Sequence, residues 1–128
     1  MDLLIITETD LALLRKLRPH DELQRELERA IVLSSEAVPR DVVTMNSRVL
    51  YVDETTGERR LVKIVYPMEA DASAGKISVL APVGAALLGL SIGQAIEWGF
   101  PDGTRRRLRV EDVSYQPESS GRRGALDP

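Results

Sequence analysis

The chain has 128 residues, of which 43% are hydrophobic and 29% charged, and its formal net charge is −3 at pH 7. This length predicts one domain, or one domain with a small appendage, and the negative charge argues against nucleic acid as a direct, sequence-specific ligand. Cysteine is absent, so disulfides and thiol chemistry are excluded.

Aromatic residues and the N-terminus set two further limits. One Trp, one Phe and three Tyr predict an aliphatic core and argue against an aromatic-lined ligand pocket. The apolar run at 3–6 is too short for a signal peptide and lacks a basic start. We therefore expect a cytoplasmic monomer with no membrane association.

Residues 1–38 predict a short antiparallel helical hairpin. After an extended lead-in at 3–6, Thr9 or Asp10 is suited to cap a first helix, and Pro19 can open a second. The apolar stripe of the first helix would hold Leu11, Leu14 and Leu17. That of the second would hold Leu23, Leu27, Ala30, Ile31 and Ser34. His20, Asp21 and Glu22 would then form the hairpin tip.

The hairpin tip offers little chemistry. His20 is the only histidine, and no second His or Cys is present to complete a zinc site. Asp21 and Glu22 could contribute to a metal site only if a partner supplied more oxygens, and they are equally suited to the N-terminal end of a helix. We therefore predict no catalytic residues, no metal site and no cofactor.

Residues 39–116 predict a β domain, and residues 117–128 a disordered tail rich in Gly, Ser, Pro and charge. Strands are expected at 48–52, 61–66, 95–98 and 104–115, with turns at 55–57 and 100–103 and a surface loop at 68–75. Leu108 and Val110 would face inward on the last strand. Arg105, Arg107 and Arg109 would lie on the opposite face, either solvated or meeting an acidic partner.

The stretch from Ile77 to Ile96 carries no charge and predicts the centre of this domain. A strand at 77–79 would lead to a helix that begins at Pro82, whose fixed φ suits a first helical turn. Val83, Ala86, Leu87 and Leu90 would form its apolar face. The prolines and glycines in the stretch argue against a membrane span. Leu90 stands where a phosphate-binding loop needs its lysine, which argues against that motif.

Three segments carry a resemblance to a known family. Residues 41–49 (DVVTMNSRV), 81–90 (APVGAALLGL) and 115–118 (YQPE) are similar to the Rnk family, bacterial regulators of nucleoside diphosphate kinase. More broadly, this half resembles the C-terminal domain of the transcript-cleavage factors GreA and GreB. The resemblance implies an α+β protein, with a GreA/GreB C-terminal, FKBP-like antiparallel β domain covered by one helix.

The resemblance also implies a function. Gre factors bind the rim of the RNA polymerase secondary channel and insert a long coiled coil whose tip carboxylates help to bind catalytic magnesium. The resemblance implies that Rnk-like proteins dock on that rim and compete with them. Ala81 and Pro82 are the candidate polymerase-binding residues, although Leu80-Ala81 replaces the Asp-Ser of the cleavage factors. Two alternatives stay open: direct regulation of nucleoside diphosphate kinase without polymerase binding, and an FKBP-like peptide-binding module.

Overall fold

The computed structural model of the protein describes residues 4–17 and 21–117, and for residues 21 and 22 the backbone alone. The architecture is mixed α+β, with a curled sheet and few helices. In chain order the elements are β1 (Ile5–Thr7), α1 (Glu8–Lys16), α2 (Asp21–Glu28), β2 (Ile31–Leu33), β3 (Arg48–Asp53), β4 (Arg59–Val65), β5 (Lys76–Ser78), α3 (Pro82–Leu87), β6 (Ala95–Gly99) and β7 (Arg105–Tyr115).

The main sheet has five strands in the order β5-β4-β3-β7-β6. All neighbours are antiparallel except β4 and β5, which run parallel. The sequence prediction of a mainly antiparallel sheet is thus confirmed. Side chains alternate between the two faces of a strand, and on β7 Leu108 and Val110 are buried as expected. The turn before β7 closes through Phe100 and Gly103, which has a φ of 87°.

Helix α3 covers the inner face of this sheet. Pro82 is at its first turn, as predicted, and Ala85, Ala86 and Leu87 are buried. The helix ends at Leu87, so Leu90 does not extend its apolar face; it is buried beyond the turn, where its carbonyl accepts from the amide of Val43. Few aromatic side chains join the core, which is built mainly from Leu, Val, Ile and Ala.

The N-terminal segment, residues 4–33, differs from the predicted helical hairpin. Its two helices lie between strands β1 and β2, which pair in parallel with Ile5 opposite Ile31. The second helix ends at Glu28, so Ile31 belongs to a strand and Ser34 lies beyond it. Strand pairing over this sequence distance leaves no trace in helical periodicity, which is why the sequence predicts Ile31 and Ser34 as part of the second helix. The antiparallel packing of α1 against α2 and the FKBP-like detail stay predictions.

The cap of α1 also differs from the prediction. Thr7, rather than Thr9 or Asp10, is the N-cap, and its Oγ1 accepts from the amide of Asp10 at 3.1 Å. The Asp10 carboxylate is itself buried and accepts from the Met45 amide at 3.2 Å and the Tyr66 hydroxyl at 3.3 Å. It thereby joins α1 to the β domain.

The predicted loop at 68–75 and the last residue of the predicted β domain are both ordered. The loop at 68–75 includes the 3₁₀ helices Pro67–Glu69 and Ala72–Ala74. Gln116 is buried and donates to the carbonyls of Pro39 and Val42 at 2.7 and 2.8 Å. The predicted disordered tail lies outside the described residues from position 118 onward. Among the described helices, none has the length and apolar character needed to cross a membrane.

Candidate docking surface around Ala81 and Pro82

The loop into α3 is shaped by its own backbone. The amide of Ala81 donates to the Ser78 carbonyl at 3.0 Å, and the Leu80 amide donates to the Ser78 Oγ at 3.0 Å. Ala81 is the N-cap with an extended backbone but has no side-chain hydrogen bond to offer. Pro82 needs no partner for its nitrogen, so this helix begins without a polar cap.

Gly84 allows α3 to approach the end of β5 closely. A Cβ atom at this position would lie 2.2 Å from the Ser78 carbonyl oxygen, a distance that excludes any side chain. The helix therefore rests directly on backbone, which holds Ala81 and Pro82 in a defined position beside the sheet.

Pro82 lies at an open apolar cavity of about 290 Å3, and Ala81 directly precedes it in the chain. Its lining comes from α2, the α3 entry and the end of β6: Leu23, Leu80, Pro82, Ala85, Trp98, Gly99, Phe100 and Pro101. Ala81 and Pro82 are both half-buried. The cavity therefore presents the edge of a proline to solvent beside two aromatic rings.

The aromatic wall of this cavity is held by a charged cluster. The Arg106 guanidinium lies 4.6 Å from the centroid of the Phe100 ring, within the range of a cation–π interaction. Arg106 also lies 3.6 Å from the carboxylate of buried Asp53 and 3.5 Å from that of Asp102. Hydrogen bonds from Thr104 hold the pKa of Asp102 below its ordinary value, so this carboxylate is charged at neutral pH.

The structure describes little of the predicted tip residues. His20 lies outside the described residues, and only the backbone of Asp21 and Glu22 is described, at the start of α2. Among the described residues, no group of three or more His, Cys, Asp or Glu side chains could hold a metal ion.

The arginine stripe of β7 is paired within the protein. Arg107 and Arg109 lie 2.9 and 2.6 Å from the two carboxylate oxygens of Glu54, and Arg105 lies 3.7 Å from Glu97. Hydrogen bonding to Arg109 is the main cause that lowers the pKa of Glu54. The stripe is thus a network on the sheet face, in which three guanidinium groups are bridged by two carboxylates.

Two features of the surface escape sequence reasoning. The low aromatic content argues against an aromatic-lined pocket, yet the spacing of two residues between Trp98 and Phe100 places both beside Pro82. Leu23 comes from α2, far away in the sequence. In the sequence, Trp98 and Phe100 stand two residues apart and Pro101 follows, and this pattern could have indicated an aromatic wall at the end of β6. Nothing in the sequence indicates that Leu23 joins it.

Comparison with known proteins identifies relatives of this domain. Residues 38–115 match the family model described as "Transcription elongation factor, GreA/GreB, C-term". The "Regulator of nucleoside diphosphate kinase" of Escherichia coli K12 is 48% identical over 101 residues, covering 79% of this chain and 74% of the relative. A "Transcription elongation factor GreA" of Azorhizobium caulinodans is 40% identical over 90 residues, covering 70% of this chain and 57% of the relative.

A solved structure is similar over nearly the full chain. The "Prokaryotic transcription elongation factor GreA/GreB from Nitrosomonas europaea" superposes with a TM-score of 0.71 at 41% identity. The match covers 90% of this chain and 100% of that one, so it includes most of the N-terminal segment as well as the β domain.

Proposed function

Because the chain belongs to the GreA/GreB family of transcription elongation factors, we propose that it is a non-catalytic regulator that docks on the rim of the RNA polymerase secondary channel. It competes there with Gre factors. The family membership itself makes the chain a regulator of the transcription elongation factor type. The rim, the competition and the docking residues are the substance of the proposal.

The observation that carries the docking proposal is the position of Pro82. By the resemblance to the cleavage factors, Pro82 occupies the position of their docking proline, and it is the docking residue that this chain shares with them. Here it borders an open apolar cavity beside Phe100 and Pro101, and a well-packed apolar hollow of this kind can receive an anchoring side chain of a partner. The Asp-Ser of the cleavage factors is absent, so the apolar contact must supply more of the binding energy.

The size of the helices supports a role without catalysis. Helix α1 has nine residues and α2 eight, which at 1.5 Å per residue gives lengths of about 14 and 12 Å. Magnesium coordination requires oxygens within about 2.1 Å, so carboxylates at Asp21 and Glu22 would have to be carried deep into the channel to act. Helices of this size leave them well outside it.

The test uses a stalled, backtracked elongation complex. The protein alone should not stimulate transcript cleavage, and added to a Gre factor it should lower cleavage, with inhibition relieved by excess Gre factor. The variant Pro82→Ala should inhibit several-fold less at equal concentration while its melting temperature stays near that of the wild type. Pro67→Ala is the matched control, because Pro67 also opens a short helix but lies away from the cavity.

Three outcomes would contradict the proposal. Cleavage by the protein alone that disappears when Asp21 and Glu22 are changed to alanine would establish a catalytic role. Equal inhibition by the Pro82→Ala and wild-type proteins would return Pro82 to a structural role. Inhibition that excess Gre factor does not relieve would exclude competition for one surface.

Each alternative function has one observation in its favour. The name of the Escherichia coli relative favours a direct contact with nucleoside diphosphate kinase. The aromatic-walled cavity favours a peptide-binding module. A pull-down that enriches the kinase without polymerase would select the first. Turnover of a proline peptide in an isomerase assay, lost in Trp98→Ala, would select the second.

A further inference from the structure

Three cations lie side by side on neighbouring strands of the main sheet. The register pairs Arg48 on β3 with Lys63 on β4, and Lys63 with Lys76 on β5. Residues paired in this way place their side chains on the same face. Val62 and Ile64, which flank Lys63, are buried, so this cationic row (Arg48, Lys63 and Lys76) lies on the face opposite α3.

The cationic row forms no ion pair in the described part of the chain. Within residues 4–17 and 21–117, none of its members is bridged to a carboxylate. One acid close to Lys76 is Asp71, whose carboxylate accepts from the Ser73 amide at 3.1 Å and the Ser73 Oγ at 2.6 Å. Lys76 is the smallest of the causes that lower the pKa of Asp71. This acid is therefore held by its own loop and offsets only part of the Lys76 charge.

At the other end of the same sheet face, the arginines are paired with carboxylates, in contrast to the cationic row. Arg107 and Arg109 share the carboxylate of Glu54. Like charges placed directly opposite each other in a sheet are destabilising, and the chain as a whole carries a net negative charge. A row of three adjacent cations without a bridging acid is therefore a place where a bound anion would relieve repulsion.

The cationic row borders a hollow of about 290 Å3. The hollow is lined by Arg48, Leu61, Val62, Lys63, Ala74, Gly75 and Lys76. Binding of single-stranded nucleic acid requires aromatic platforms on which bases stack, and this lining has none. The Tyr115 ring nearby is covered by the Arg48 guanidinium at 5.6 Å. The shape and charge suit a compact anion with several negative oxygens.

We propose that the cationic row binds a compact polyphosphate, either inorganic or the phosphate chain of a nucleotide. Lys63, at the centre, contacts the middle of the chain, and Arg48 and Lys76 hold its two ends. Lysine and arginine form charge-assisted hydrogen bonds with phosphate oxygens. The site lies on the sheet face opposite α3, so its occupation is separate from docking through Pro82.

The experiment is calorimetric titration of the full chain with sodium triphosphate and, in parallel, with ATP. Lys63→Gln and Lys76→Gln should each weaken triphosphate binding by about tenfold. Lys16→Gln is the matched control, since it removes the same charge from an exposed position on α1 and should leave the affinity unchanged. Equal affinity for both ligands identifies the phosphate chain as what is recognised, whereas tighter ATP binding adds a contact to the nucleoside.

A second measurement locates the site without substitutions. In an amide NMR titration with triphosphate, the largest shifts should fall on Lys63, Gly75 and Lys76. The proposal is overturned if no heat is detected with either ligand, if Lys16→Gln weakens binding as much as Lys63→Gln, or if the largest shifts fall on the β7 stripe. Binding of an RNA oligonucleotide without binding of triphosphate would likewise overturn it.

Discussion

The N-terminal segment and the β domain share one buried cluster but are held together in different ways. The strands of the β domain pair with one another, with β3 between β4 and β7, and helix α3 packs on the same sheet. The N-terminal segment has one short strand pair of its own, Ile5 with Ile31, and is otherwise held by bonds to the β domain: the Ile5 amide donates to the Gly89 carbonyl at 3.1 Å, and Asp10 accepts from Met45 and Tyr66.

This difference indicates that the β domain stabilises the N-terminal segment. Isolated helices shorter than about 12–15 residues are marginal in water, and α1 and α2 fall below that length. Their buried residues, Leu14, Leu23 and Leu27, lie in the cluster that the β domain also forms. The N-terminal segment is therefore ordered by the β domain, and disturbing the two regions should have unequal consequences.

The largest loss of stability should come from a substitution in the buried cluster that both regions share. Leu87→Asp places a carboxylate where the side chain is fully buried, and burial of an unpaired charge costs several kcal/mol, enough to unfold a marginal domain. We expect loss of the cooperative melting transition in both regions. Leu61→Asp, at a position that is 61% exposed, is the control and should melt like the wild type. A Leu87→Asp protein with an unchanged transition would show that α3 does not support the core.

A smaller effect should separate the two regions. Gly89 has a φ of 84°, and a Cβ there would lie 2.8 Å from the Leu4 Cβ, so Gly89→Ala both strains the backbone and pushes β1 away. The backbone strain alone costs about 1–3 kcal/mol. Hydrogen exchange should accelerate in β1 and β2 more than in β3 and β7.

Gly93→Ala is the matched control, because it introduces the backbone strain without the steric clash. Gly93 has a φ of 90°, and a Cβ added there would meet nothing within 4 Å, so the substitution adds strain without displacing the N-terminal segment. If both variants accelerate exchange equally in β1 and β2, the contact with Leu4 does not hold the two regions together.

The smallest effect should appear in the pH dependence of stability. Burial raises the pKa of Asp10 above its ordinary value of 3.8, against the opposing effect of its hydrogen bonds. The folded protein therefore holds this proton more tightly than the unfolded chain. The associated stability is fully present below the unfolded pKa and is lost as the pH rises through the folded pKa.

Asp10→Asn removes this titration while keeping the size of the side chain and an oxygen that can accept from Met45. The variant should gain stability relative to the wild type as the pH rises from about 3 to 7, measured by urea denaturation. Asp102→Asn should change in the opposite direction, because hydrogen bonding lowers the pKa of Asp102. A difference between Asp10→Asn and the wild type that does not vary with pH would contradict the raised pKa.

Much of the β domain could be predicted from the sequence because its signals are local. Pro82 indicates the start of a helix because its fixed φ suits the first turn. The alternation of Leu108 and Val110 indicates the inward face of a strand, and Gly103 indicates a turn. Of the docking surface, the resemblance points to Ala81 and Pro82. It does not point to the cavity beside them, because Leu23 and Phe100 meet there only after the chain has folded.

What the sequence by itself determined is the set of short-range preferences: a charge-free centre, alternating strands and an aliphatic core. Tertiary structure alone decided that Ile31 joins a strand, that Thr7 caps α1, that Asp10 is buried, and that Arg48, Lys63 and Lys76 lie in a row. The physical reason is that these features depend on strand register and on contacts between residues far apart in the chain. Local periodicity reports which face of an element is apolar, and it carries no information on which distant element will cover that face.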